Sequence, residues 1–139
     1  MGEQNLTNER VWVRMASRYA KSTPPLRPSE NDVAFYREAI AGRDDRVLLL
    51  GVTPALATLG KSLCAVELSP TVIRALWAGD SADRRAIAGD WRYLPFAPSS
   101  FSAVIGDGAL SVVDLASEIL TKAVPCFVES RGIHRGRVL

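Results

Sequence analysis

Arg46-Val47-Leu48-Leu49-Leu50-Gly51-Val52-Thr53-Pro54-Ala55-Leu56-Ala57-Thr58-Leu59-Gly60 is the stretch on which the fold turns. Val47–Leu50 is a short apolar run closed by Gly51, and such a run matches a strand buried on both faces. Thr53 has the chemistry of a helix N-cap and Pro54 that of a first helical residue. Leu56 and Leu59 then share a face, and Gly60 can stop the helix. The stretch predicts a buried strand, a tight glycine turn and a helix start. Such a turn presents unpaired backbone N–H groups beside the positive end of a helix dipole, where an anionic or polar ligand group docks.

On the N-terminal side, Thr7 can cap a first helix running to about Ala20, with Trp12, Met15, Ala16 and Tyr19 on one face. Pro24, Pro25 and Pro28 make Lys21–Ser29 an extended connection. Ser29 and Asp32 form a capping-box variant that opens a helix over about Glu30–Ala41, with Val33, Tyr36 (or Phe35) and Ile40 facing inward and Gly42 ending it.

On the C-terminal side, Leu63–Leu68 reads as a second parallel strand. Ser69-Pro70 repeats the cap-and-proline pairing and starts a helix to about Ala78, presenting Ile73, Leu76 and Trp77. Ala86–Ala88 is a short third strand, and Pro95, Pro98, Ser99 and Ser100 make a loop. Phe101–Ile105 is a fourth strand ending in Gly106-Asp107-Gly108, followed by a helix over about Ala109–Val124 that Pro125 breaks. The tail reads in two ways. Either Phe127-Val128 is a fifth strand, or Arg137-Val138-Leu139 is the approach to the fifth strand and Phe127-Val128 is not it. The alternation of strands and helices predicts an α/β fold: a Rossmann-like, mostly parallel sheet flanked by helices, with at most five strands and the C-terminal strands incomplete. Residues 1–45 are expected to form an N-terminal helical segment covering the site, and 46–139 a single globular unit.

Composition narrows the function classes. The 139 residues favour one domain, and 47% apolar content is ample for a core. A net charge of +2 gives no warrant for a nucleic-acid partner. No apolar run approaches the ~20 residues that cross a bilayer, and Met1–Arg10 lacks the apolar core of a signal peptide, so a cytoplasmic location is expected. Cys64 and Cys126 are far apart and are expected as reduced, buried thiols. No cluster has metal-ligand spacing.

In open α/β sheets a ligand binds beyond the carboxyl ends of the strands. The readable ends carry Gly51, Glu67, Asp90 and Asp107. A carboxylate after the second strand can accept both hydroxyls of a ribose, and an acid after the third can accept from a purine's exocyclic amine. Glycine after the first lets a ligand approach the backbone closely. Together these features describe a nucleoside pocket.

This ordered set resembles the class I S-adenosylmethionine-dependent methyltransferases over roughly Arg46–Leu110. Leu48-Leu49-Leu50-Gly51 looks like the first family motif, although Leu49, Thr53 and Ala55 stand where the family usually has an acid and two further glycines. The resemblance implies that S-adenosyl-L-methionine is the cofactor. It implies that Gly51, Val52 and Thr53 pass under the cofactor, that Glu67 with Leu68 holds the ribose, and that Asp90 and Trp91 hold the adenine. Asp107 would lie beside the transferred methyl group. Tyr19 and Arg27 would belong to a segment folded over the cofactor, with Arg27 pairing with its carboxylate. The expected activity is methyl transfer to a small-molecule acceptor, with the catalytic residues unknown. The alternative is a methyltransferase-like module that binds the cofactor, or a partner chain or second copy across its incomplete sheet, without catalysis. A nicotinamide-dependent oxidoreductase would need Gly-x-Gly-x-x-Gly where this chain has Gly51-Val-Thr-Pro-Ala-Leu56.

Overall fold

Val47–Leu50 forms strand β1 because its four side chains find apolar partners on both sides of a sheet, and all four are buried. In the computed structural model, which describes residues 28–107, 127–130 and 136–138 together with Arg10, Arg14 and Arg18, β1 lies between β2 (Leu63–Glu67) and β4 (Ala103–Asp107). Both pairings are parallel, with Leu49 opposite Ala65 on one side and Ile105 on the other. β3 (Arg84–Ala88) pairs parallel with β2. β5 (Phe127–Ser130) pairs parallel with β4, and β6 (Gly136–Val138) runs antiparallel to β5. The spatial order is β3-β2-β1-β4-β5-β6, so the sheet is α/β and Rossmann-like as the sequence predicts. The chain works outward from β1 to β3, then returns to the far side of β1 for β4, and this reversal places the switch point between β1 and β4.

Alternation along β1 builds two cores. Val47 and Leu49 pack with Tyr36, Ile40, Leu56 and Leu59 on one face. Leu48 and Leu50 pack with Val66, Leu94, Phe101 and Val104 on the other. The first face is covered by helices α1 (Glu30–Ala39) and α2 (Pro70–Leu76). Ser29 caps α1 by accepting from the Asp32 N–H, while the Asp32 carboxylate accepts from the Ser29 N–H at 2.8 Å, which is the box expected from the sequence. Tyr36 is fully buried, and its hydroxyl donates to the Gly106 carbonyl at 2.9 Å, tying α1 to the exit of β4. Ser69 and Pro70 open α2 as expected, with the Ser69 hydroxyl accepting from the Val72 N–H. The helix stops at Leu76, two residues early, because Trp77 turns extended and its indole N–H donates to Asp80 at 2.9 Å.

The helix expected after Thr53-Pro54 does not form. The backbone there bonds in i→i+3 turns, from the Leu56 N–H to the Thr53 carbonyl, from Ala57 to Pro54 and from Leu59 to Leu56. So short a segment gains little from helix propagation after its costly nucleus. Its last carbonyls have another partner. Arg84, the first residue of β3, donates through Nη1 to the carbonyls of Ala57 (2.9 Å) and Leu59 (3.0 Å) and through Nη2 to those of Thr58 (3.1 Å) and Gly60 (2.7 Å). One planar guanidinium thus satisfies the end of the crossover from β1 to β2. Arg84→Ala is expected to cost about 1–3 kcal/mol in urea unfolding. Arg84→Lys should recover only part of that, since an ammonium cannot span the same carbonyls.

Other boundaries moved as well. β3 begins at Arg84 instead of Ala86, and β4 runs from Ala103 to Asp107 instead of Phe101 to Ile105. The outward carbonyl of Arg84 accepts from the Ser81 N–H at 2.8 Å, and the outward N–H of Ala86 donates to Asp80 Oδ1 at 3.0 Å. Phe127–Ser130 is the fifth strand, so the reading of residues 137–139 as the approach to a fifth strand is corrected: 136–138 form a sixth, antiparallel strand where at most five had been expected. Arg10, Arg14 and Arg18 are helical, within the span of the expected first helix, and their side chains are exposed. The expected helix over 109–124 lies outside the described residues. Among the described residues, no helix is long and apolar enough to cross a membrane.

Candidate functional site

Because β1, β2, β3 and β4 are parallel neighbours, their C-terminal ends share one edge of the sheet. Gly51, Glu67, Asp90 and Asp107 therefore lie along one rim, in the order that the strands dictate. The rim is drawn together at the Val66 carbonyl. It accepts from the Gly51 N–H at 2.8 Å and from the Trp91 indole N–H at 2.6 Å. Gly51 takes a φ of +97°, a conformation that glycine adopts without steric cost. A Cβ placed on it would lie 3.8 Å from Trp91 Cζ2 and 3.9 Å from Glu67 Oε2. Gly51, Glu67 and Trp91 are therefore neighbours in space although 40 residues of chain separate the first from the last.

The two acids of this rim differ. Glu67 is half-buried, and Oε1 accepts from the Ser69 N–H at 3.2 Å. Burial pushes its carboxyl above the ordinary value, opposed by backbone N–H groups of Ser69 and Leu68. Asp90 is held by Arg92. The hydrogen bond from the Arg92 side chain holds its carboxyl below the ordinary range, with burial opposing. Arg92 Nη2 reaches Asp90 Oδ2 at 2.6 Å. The arginine was not among the expected site residues, yet the spacing Asp90-Trp91-Arg92 was there to suggest it.

The remaining expected residues divide. Leu68 is 63% exposed at the rim, and Tyr93, unforeseen, is 72% exposed beside Arg92. Trp91 is half-buried and packs against the Leu48–Leu50 face of the core, so its indole is anchored rather than free to swing. Val52 is 2% exposed and its side chain belongs to the core, so only its backbone can meet a ligand. Thr53 is half-buried at the start of the turns. Asp107 is half-buried at the end of β4, beside Ser130 of β5 in register. Tyr19 and Arg27 lie outside the described residues.

No family model matches the chain, and no curated protein does. Among solved structures it is similar to a chain of the "Complex between the Haloferax volcanii Trm112 methyltransferase activator and the putative methyltransferase", with 21% identity and a TM-score of 0.46. The match covers 71% of this chain and 44% of the other, so the chain spans less than half the length of that neighbour.

A cavity of about 120 Å³ opens at the opposite, N-terminal edge of the sheet, among Val47, Leu63, Cys64, Arg85 and Phe101. Its lining holds none of the strand-end residues. Cys64 is a free thiol there, pushed up by burial and so a weak nucleophile at neutral pH. Cys126 lies outside the described residues. Among the described residues, no group of three or more His, Cys, Asp or Glu could hold a metal ion.

Proposed function

We propose that this rim holds the adenosyl part of S-adenosylmethionine and that the protein transfers the sulfonium methyl group to a small acceptor. What supports the reading is the meeting of Gly51, Glu67 and Trp91 around the Val66 carbonyl. A bare backbone at Gly51 admits a ligand closely. Glu67 offers carboxylate oxygens to a vicinal diol, with one already fixed by Ser69. The anchored Trp91 forms an apolar wall beside both. Asp90, next along the rim, accepts the base's amine, and Leu68 adds exposed apolar surface for the base. In this reading the segment that carries Tyr19 and Arg27 covers the site, and the sheet with α1 packed against it forms the binding unit.

The bound cofactor supplies an activated methyl group. The chain's own task is then to align donor and acceptor and to exclude water, which accounts for much of the rate in such transfers. Titration calorimetry with S-adenosylmethionine and S-adenosylhomocysteine tests the reading. Heat with saturable one-site binding is expected, and a folded sample silent toward both ligands rejects it. Transfer of an isotopically labelled methyl group to small-molecule acceptors separates an enzyme from a module that only binds.

A further inference from the structure

Both carboxylate oxygens of Asp90 already accept from Arg92. A carboxylate offers about four lone-pair positions. Arg92 brings three N–H donors to them: its backbone N–H on Oδ1 at 2.9 Å, its Nε–H shared between Oδ1 at 3.0 Å and Oδ2 at 3.2 Å, and Nη2 on Oδ2 at 2.6 Å. The pair sits at the exit of β3, on the same rim as Glu67 and Gly51. The Arg92 side chain is 55% exposed and its guanidinium also lies 5.7 Å from the Tyr93 ring centroid, so it has solvent and an aromatic face to move to when displaced. A base amine that donates to Asp90 therefore competes with the guanidinium for the same two oxygens.

We propose that Arg92 is a latch on the adenosyl site: its ion pair with Asp90 competes with the nucleobase for the carboxylate, so that ligand binding loosens the pair. The inference rests on the proposed adenosyl site and adds its regulation by ionic strength. Binding is weakened by whatever the pair contributes, and for an exposed pair that is a few-fold effect. Added salt screens the pair and releases Asp90. An uncharged adenosyl ligand therefore binds more tightly as salt rises, the reverse of an ordinary charge-driven contact.

The test is calorimetry with 5′-methylthioadenosine, which carries no charge, on the wild type and on Arg92→Met, which keeps the apolar stem and removes the guanidinium. Matched melting curves establish that both are folded. The variant is expected to bind about two- to five-fold more tightly at low salt. Wild-type affinity is expected to rise from about 0.02 M to about 0.5 M salt while the variant's stays flat. A variant that binds equally or more weakly, or that responds to salt as the wild type does, overturns the latch while leaving the adenosyl site standing. Silence from both proteins removes the adenosyl site and the latch with it.

Discussion

Gly60→Ala is expected to destabilise the protein by about 2–5 kcal/mol, the sum of backbone strain and overpacking. Gly60 has a φ of +78°, and a Cβ there would stand 2.5 Å from Val47 Cγ2 and 3.1 Å from the Asp44 carbonyl oxygen. Val47 is the first residue of β1 and fully buried, so it has no free space into which to retreat. Asp44 O already accepts from the Lys61 N–H at 2.8 Å, which holds the two sides of the approach together. Gly42 is the control. Its φ is +80° but nothing lies within 4 Å of its Cβ position. Gly42→Ala should therefore cost only the backbone strain, about 1 kcal/mol. Urea unfolding of the two variants side by side measures the difference. Equal losses would show that the approach of Val47 to Gly60 is not tight in solution.

Glu67→Gln is expected to weaken S-adenosylhomocysteine about 10- to 100-fold while making the empty protein more stable at neutral pH. The first figure is the cost of replacing a charged acceptor by a neutral one in a ligand hydrogen bond. The second follows from proton linkage. Burial raises the Glu67 carboxyl above its ordinary 4.5, so the folded protein keeps that proton to higher pH than the unfolded chain does. Between those two values stability falls as pH rises, and above them the penalty for holding a half-buried carboxylate is present in full. Glutamine has no such penalty and still offers an oxygen to the Ser69 N–H. Melting temperatures of the two proteins should converge below about pH 4.5 and separate towards neutrality, with the variant higher. Loss of stability in the variant at pH 7 would mean that Glu67 supports the fold and not a ligand. A group that costs stability when empty and is needed when filled is the usual mark of a binding residue.

The sequence was most legible where local chemistry and tertiary demand agree. The four-residue apolar run of β1, the Ser29–Asp32 box and the Ser69-Pro70 helix start each stand in the fold as read. The glycine turn after β1 was read correctly, but its helix was not, because Thr53-Pro54 signals a beginning and carries no information about what satisfies the other end. That information sat in Arg84, 24 residues after Gly60 and outside the segment whose end it completes. The same blindness hid the fate of Asp90. A strand-end acid looks available until its neighbour two positions on is seen to fold back over it. The sixth strand was missed because residues 136–138 are short, glycine-led and basic, and only an antiparallel neighbour gives such a segment its conformation.

The tie between Asp80, Ser81 and the outer side of β3 bears on how this molecule behaves in a crowded solution. An open strand border is a template on which foreign extended chains stack, and a protein with such a border is prone to grow into fibrils. Here the hairpin-like return of the chain occupies the Arg84 carbonyl and the Ala86 N–H with its own backbone and carboxylate. A strand arriving from another molecule would find those two places already filled, which weakens the start of this border as a template for sheet extension.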